Sequence, residues 1–471
     1  MARFPRIGYG QAVQAQSGLI TRELSTLGRL AAPMILAQVT QMGMGVADTI
    51  MAGQVSAVDL AGVALGGNLY WPFILLLSGV IMSLTPSVSQ LHGAGRQAEA
   101  GEVARQAIWV AGAGGLLLVL FLNNVEPVYR LLEVDERAIP ISVAYLEALS
   151  FGVLPVLGYF SLRYLCEGMS WTVPAMWIAA GSLALKIPLN FLFIYGGFGI
   201  EAMGGVGCGW ASVIVLNGQF LVMALVVSRS RIRATGVFSR FSRPDPVEIL
   251  RLVKLGLPIG ITNFMEISLF SVITLLIGRL GAESVAAHMI ASNVGGMTFM
   301  VPLALGMAVS IRVGFNVGAG DLTAARRSGW VAIWLSLLFA LVAAVIVYLF
   351  RYQIAGLYSS ELAVVAVAAD LLIFVALYQF FDDAQVTAVG ALRGFKDTRA
   401  TMWVAMLSYW GVGLPVGVAI GFGWIEVAGF EGVRGFWIGL IAGLGVAAVV
   451  LTTRFRWLSH RPDHVAQFAT R

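Results

Sequence analysis

The sequence predicts an all-α membrane protein of twelve transmembrane helices in two pseudo-symmetric six-helix lobes. Three observations carry that expectation. The 471 residues are 58% hydrophobic and 12% charged, against roughly 25% charged in a soluble chain. The apolar residues gather into runs long enough to cross a hydrocarbon core of about 30 Å. The second half of the chain also repeats the first.

The spanning segments read from the apolar runs are about 27–52, 60–91, 104–124, 139–165, 171–195, 205–228, 254–279, 284–317, 327–350, 364–392, 400–423 and 435–455. The first apolar run is too long for the hydrophobic region of a cleavable signal and is read as the first spanning helix. The repeat appears at an offset of 225, where Pro33 matches Pro258, Gly53 matches Gly278 and Asn68 matches Asn293, and Gly93-Ala94-Gly95 matches Gly318-Ala319-Gly320. It continues at 226 with Thr172, Met176 and Trp177 against Thr398, Met402 and Trp403, and at 227 with Gly205, Val206 and Trp210 against Gly432, Val433 and Trp437. Six intervening helices preserve orientation, so the repeats are parallel about an axis along the membrane normal. The predicted units are residues 1–235 and 236–471, joined by the basic linker Arg229–Val247. Asp245-Pro246 supplies an N-cap and a first-turn proline for the seventh segment.

The basic residues orient the chain. Loops assigned outside hold only Arg130, Arg137, Arg279, Arg351 and Arg434, while Lys186 and Arg312 lie within helices. The other Lys and Arg fall on the inner side, from Arg3, Arg6, Arg22 and Arg29 in the N-terminal arm to Arg471 at the other end. Both termini are therefore expected in the cytoplasm. The net charge of +5 follows this topology and forms no nucleic-acid stripe. Cys166 and Cys208 make no disulfide framework, and the four histidines show no metal-ligand spacing.

An acid within a membrane helix costs at least about 2.5–3.5 kcal/mol, so it is a candidate for function. Tyr378, Asp382 and Asp383 lie in segment ten and Glu266 in segment seven. Tyr378 and Asp382, four apart, share a helix face. Gln379 is placed to satisfy Asp383 locally. Paired carboxylates in a low dielectric take up a proton or hold a cation. If the ion is sodium, Glu266 and Asp382 are its ligands, with Tyr378, Asn263 and backbone carbonyls as further oxygens. The repeat requires none of these acids, because Glu266 aligns with Gln41 and Asp382 with Val156. The first lobe has its own acid, Asp48, which aligns with Ile273 and has Asn190 as expected partner. The plainer reading of Asp48 is a polar contact between helices. Glu147 and Lys186 are expected to neutralise each other, Arg312 to snorkel to the surface, and Asp370 to lie near the outer interface. Phe264, Met265, Phe270, Met289, Phe374, Phe380 and Phe381 near the second-lobe acids would suit a lipophilic cation, although each is equally a packing residue. The spacings at Gly62/Gly66 and Gly435/Gly439/Gly443 are read as helix packing.

With these residues placed, the chain resembles the multidrug and toxic compound extrusion (MATE) transporters, in their bacterial NorM-type branch. The resemblance rests on Pro33 with Gln41, Val46–Gly53, Ser89–Arg96, Lys186–Gly196, Glu266, the Tyr378–Asp382 pair and Ala391–Thr398, in order along nearly the whole chain. It implies a fold of two six-helix bundles around a cleft. It also implies efflux of organic cations and drugs against inward Na⁺ or H⁺ by alternating access, across a bacterial inner membrane. Glu266, Tyr378 and Asp382 then fall on the second-lobe coupling-ion site, and Asp48 with Asn190 on a first-lobe proton-linked site. Asp383, Asn263 and Gln41 are supporting polar groups. No cofactor beyond the coupling ion, no nucleic acid and a monomer in the bilayer are expected. A lipid-linked sugar flippase of the same superfamily would line its cleft with buried bases, which the sequence does not lead one to expect. A membrane enzyme finds no HExxH, no GxSxG and no histidine within a membrane core. A passive channel remains the third alternative.

Overall fold

A computed structural model describes residues 9–131, 136–197 and 199–464, with side chains from residue 18 onward. Arg3, Arg6 and Arg471, among the basic residues counted above, lie outside the described residues. Among the described residues, twelve helices are long and apolar enough to span a membrane: α1 (Gly18–Val55), α2 (Ala57–Gly93), α3 (Gln97–Leu122), α4 (Ile139–Gly168), α5 (Val173–Tyr195), α6 (Val206–Arg229), α7 (Pro246–Leu280), α8 (Ala282–Gly318), α9 (Leu322–Leu349), α10 (Leu362–Gly394), α11 (Thr398–Gly421) and α12 (Val433–Leu458). Each coincides with a predicted segment. Most extend beyond it because capping residues, not hydrophobicity, end a helix. Ser56 Oγ accepts from Asp59 N at 2.9 Å to start α2, and Asp321 Oδ1 accepts from Ala324 N at 2.8 Å to start α9. Asp245 Oδ1 caps Val247 N at 2.9 Å, with Pro246 in the first turn, as expected for α7.

The sequence repeat is also a backbone repeat. Gly95 and Gly320 both adopt left-handed conformations, with φ +74° and +78°. Arg96 N donates to Leu91 O and Asp321 N to Asn316 O, the same closure 225 residues apart. The other pair is stricter, because neither residue is glycine: Ser170 and Lys396 sit at φ +58° and +64°. Trp171 N bonds Cys166 O and Asp397 N bonds Leu392 O, 226 residues apart.

Small residues set the packing. Gly435, Gly439 and Gly443 of α12 lie directly against Gly413, Gly417 and Gly421 of α11, while Gly62 and Gly66 receive Ile141 and Tyr145 from α4. The spacings expected to be packing motifs are packing motifs. The two repeats meet where α2 crosses α7 and α8 and where α1 crosses α8. Here a Cβ on Gly256 would overlap the Val80 carbonyl, one on Gly93 the Phe315 carbonyl, and one on Gly318 the Gln90 carbonyl. Gln90 Nε2 also donates to Gly394 O at 2.9 Å. These contacts all lie toward the face where α1 begins and α12 ends, here called the basic face. The linker runs along the same face, held to α3: Arg105 Nε donates to Ser242 Oγ at 2.7 Å, and Gln106 Oε1 accepts from Asp245 N at 2.9 Å.

Candidate functional site

In the second repeat, α7, α8, α10 and α12 enclose a cavity of about 400 Å³. Glu266, Phe270 and Thr274 line it from α7, Met289 and Phe299 from α8, Tyr378 from α10 and Trp437 from α12. Glu266 is half-buried and faces this space, whereas Asp382 is buried behind Tyr378. The Tyr378 hydroxyl donates to Asp382 Oδ2 at 2.5 Å, and Asp382 Oδ1 has no protein partner. The helical i,i+4 relation foreseen from sequence is thus a hydrogen bond. Glu266 and Asp382 are close enough to act on each other electrostatically. Among the described residues no group of three or more His, Cys, Asp or Glu gathers as for a divalent or transition metal. Glu266 and Asp382 form a two-carboxylate pair at the cavity.

Sequence reasoning missed three neighbours. Tyr409 is buried, its hydroxyl accepts from Gln385 Nε2 at 2.7 Å, and it interacts electrostatically with Glu266 and Asp382. It sits where α11 widens into a π turn over Leu407–Gly413, a local irregularity that is common at functional sites and has no periodic signature. Trp437 packs edge-on against Tyr378 at 5.9 Å. His288 is fully buried, shares Trp437's other neighbourhood at 5.8 Å and lies 3.0 Å from Thr274 Oγ1. Its burial was not foreseen from sequence, where only a histidine within the membrane core was weighed.

Several expectations fail on reach. Asp383 is completely buried, but Gln379 does not satisfy it: both carboxylate oxygens and both Gln379 amide atoms lack partners. Among the described residues the Asp383 side chain makes no hydrogen bond; Ser336 Oγ instead donates to the Asp383 main-chain carbonyl at 3.0 Å. Asn263 Oδ1 is taken by Arg393 Nη2 at 3.1 Å instead of pointing to the acids. Of the aromatic and methionine set, Phe270 and Met289 line the cavity. Phe374 pairs with Phe430 at 6.2 Å, Phe381 faces Gly445 of α12, and Phe264 is exposed. Met265 is held at its carbonyl by Trp410 Nε1 at 3.3 Å.

The first repeat has a matching cavity of about 360 Å³, lined by Gln41, Met44 and Asp48 of α1, Tyr70 of α2, Tyr145 of α4, Lys186 of α5 and Met300 of α8. Met300 belongs to the second repeat, so this space faces the seam. Asp48 Oδ1 accepts from Asn190 Nδ2 at 2.7 Å, as expected. The expected Glu147–Lys186 pair does not form. Glu147 is exposed on the outside of α4, and Lys186 Nζ lies 3.0 Å from Asp48 Oδ1. Lys186 also bonds Ser212 Oγ and, at 3.2 Å, the Cys208 carbonyl. Asp48 therefore has a resident counter-charge.

Other buried bases also contradict the reading of a base-poor interior. Arg163 pairs with Glu167 at 2.6 Å, both nearly fully buried. Arg312 does not snorkel: its Nε and Nη2 bind Glu23 at 2.7 and 3.0 Å, joining α8 to α1 across the seam. Of these, Arg163, Lys186 and Arg312 are each matched to an acid, whereas Arg393 bonds Asn263. Asp370 does lie at the far face, partly exposed and paired with Arg434 at 2.5 Å.

A sequence profile of the MatE family matches residues 33–192 and again 258–419, the offset of the internal repeat. The chain is 45% identical to multidrug resistance protein PmpM of Pseudomonas aeruginosa, covering 92% of this chain and 91% of that one. It is 41% identical to the probable multidrug resistance protein NorM of Shewanella oneidensis, over 93% and 95% of the two chains. Among solved structures it is similar to the eukaryotic MATE transporter AtDTX14, with TM-score 0.83, 20% identity and coverage of 95% and 100%. It is equally similar in fold to the Vibrio cholerae MATE transporter VcmN in its bent form, with TM-score 0.83, 19% identity and coverage of 95% and 99%. The structures establish the twelve-helix architecture, and the sequence matches extend through both repeats. On that footing the chain belongs to the MatE family.

Proposed function

We propose that this protein is a secondary active antiporter that exports lipophilic organic cations and drugs in exchange for inward Na⁺ or H⁺. As a member of the MatE family the chain is a multi-pass membrane transporter and not an enzyme. The observation that carries the coupled reading is the Glu266–Asp382–Tyr378 arrangement: two mutually interacting carboxylates at an apolar, aromatic-walled cavity, one with a free oxygen. A cation of either kind neutralises them, so drug and coupling ion compete for the same charge, and this competition links their movements. The Na⁺ alternative uses Glu266 and Asp382 as ligands. The H⁺ alternative protonates the same pair. Asp48 with Asn190 and Gln41 forms the first-lobe counterpart, and Lys186 holds its charge balance.

The two units 1–235 and 236–471 act as rocking bodies. The seam is closed toward the basic face, and both cavities lie beyond it toward the far face. The excess of Lys and Arg supports a cytoplasmic basic face with both termini inside. The conformation is then closed to the cytoplasm, with ion and drug exchanged on the far side. The working unit is a monomer in a bacterial inner membrane.

The test is drug efflux from sealed proteoliposomes under an imposed sodium gradient and, separately, an imposed pH gradient. One gradient is expected to drive export against a drug gradient. Drug movement that follows only its own gradient under both conditions rejects antiport in favour of a passive channel.

A further inference from the structure

The basic face holds another cavity, of about 310 Å³, where the first turns of α7 meet the turn between α10 and α11. Arg251, Lys254, Lys396 and Arg399 line it above Leu255 and Thr398. The floor is fixed by Thr398 Oγ1, which donates to the Leu255 carbonyl at 2.8 Å. The nearby acids are already committed, Glu248 to Arg251 at 2.5 Å and Asp397 to Arg454 at 2.9 Å. Lys254, Lys396 and Arg399 have no ion-pair or hydrogen-bond partner among the described residues. Three cations without a hydrogen-bonded acid thus surround one concave space; its lining carboxylate, Asp397, is held by Arg454, and Glu248 acts on Lys396 only at longer range.

The fold does not demand this charge. The equivalents of Arg251, Lys396 and Arg399 in the first repeat are Thr26, Ser170 and Val173, and only Lys254 answers to a base, Arg29. Lys396 moreover occupies the left-handed backbone position, φ +64°, where glycine or asparagine is the easier residue. Burial pushes its ammonium down to about 8, a cost that a bound anion would offset.

We propose that this pocket binds the phosphate of one anionic phospholipid head group of the adjacent leaflet. A phosphodiester offers the oxygens that lysine and arginine recognise. A lipid is favoured over a free anion because exposed apolar side chains follow the pocket along both helices. Leu257 lies one turn beyond Lys254 on α7, Trp403 and Leu407 lie one and two turns beyond Arg399 on α11, and all three are exposed toward the bilayer side of the spans. Only the naming of the leaflet rests on the proposed orientation; the site itself does not, and its test involves no transport.

The experiment measures thermal unfolding of the purified full-length protein in non-ionic detergent. Short-chain phosphatidylglycerol, phosphatidylcholine of equal chain length and inorganic phosphate are titrated at constant ionic strength. Phosphatidylglycerol is expected to raise the midpoint progressively with concentration, and the other two are not. Combining Lys254→Gln, Lys396→Gln and Arg399→Gln should weaken the phosphatidylglycerol effect at least about tenfold. The single Arg399→Gln, at an exposed position, should weaken it in the same direction and keeps the test available if the triple variant folds poorly. Arg326→Gln with Arg327→Gln, elsewhere on the same face, should leave it unchanged. Equal effects of phosphatidylcholine or inorganic phosphate, undiminished binding by the triple and single variants, or equal loss in the Arg326/Arg327 control would each overturn the proposal.

Discussion

Glu167 and Arg393 occupy equivalent places in the two repeats, 226 residues apart, and line one small cavity across the seam with Thr85 and Ser310. Each is the residue three before the left-handed turn that ends its helix. One repeat thus contributes an acid and the other a base at the closed end of the molecule. Their local ties differ: Glu167 is bound to Arg163, whereas Arg393 reaches across to Asn263, one turn from Glu266.

Glu167→Gln is therefore expected to destabilise the protein by about 3–5 kcal/mol, since it leaves the buried Arg163 without its counter-charge. Arg393→Gln should cost markedly less, because Glu167 keeps Arg163. Melting of the purified variants measures both, and equal losses would show that the Arg163–Glu167 pair is not the dominant tie.

Lys186→Met should resemble Asp48→Asn in impairing efflux, and Asp48→Asn should be the more destabilising, because it leaves the almost fully buried Lys186 without its counter-charge, whereas Asp48 is partly exposed and keeps Asn190. The double variant is expected to be more stable than the sum of the singles by about 1–3 kcal/mol. A double-mutant cycle on thermal stability reads this coupling directly. Additive losses would mean that the two groups do not interact.

Asp382→Asn is expected to lower ion-driven efflux at least about tenfold, and Glu266→Gln likewise, with the double little worse because the residues act as a unit. Asp383→Asn should leave efflux largely intact, since its carboxyl has no hydrogen-bond partner to lose and, unlike that of Asp382, is not tied to the cavity through Tyr378. Efflux normalised to protein in the membrane decides the matter. An inactive Asp383→Asn beside a normal Asp382→Asn would place the site on the wrong face of α10.

Gly256→Val should wedge the seam, because its side chain meets the Val80 carbonyl where backbone now touches backbone. In that background a cysteine introduced by Ser310→Cys, at the small seam cavity, should react faster, by about tenfold, with a membrane-impermeant thiol reagent applied from the basic face. Unchanged reactivity would remove the glycine contact from the closure.

What could be read from the sequence divides by distance along the chain. The twelve helices were legible because apolar run length alone requires them, and the repeat because matched Gly and Pro positions fix matched turns. The Tyr378–Asp382 bond was legible because i,i+4 geometry is local. Lys186 went to the wrong partner because Asp48 is brought beside it only by packing α1 against α5. The same holds for Arg312 and Glu23, which meet only when the repeats close on each other. Tyr409 was invisible because its direction depends on a π turn that no periodic pattern announces.

Asp48 and Lys186 together carry no net charge. A membrane potential does about 2.3 kcal/mol of work per elementary charge per 100 mV, and none on a neutral pair that travels as a unit. Glu266 and Asp382 have no ion-pair partner among the described residues, with Arg393 acting on Glu266 only at longer range. Under the proposed antiport the charge in their cavity would change with whatever is bound there, and the voltage across the membrane would pull on the two lobes unequally. It would act on the cargo of the second and slide past the first, making one half of a nearly symmetric molecule the electrically driven half.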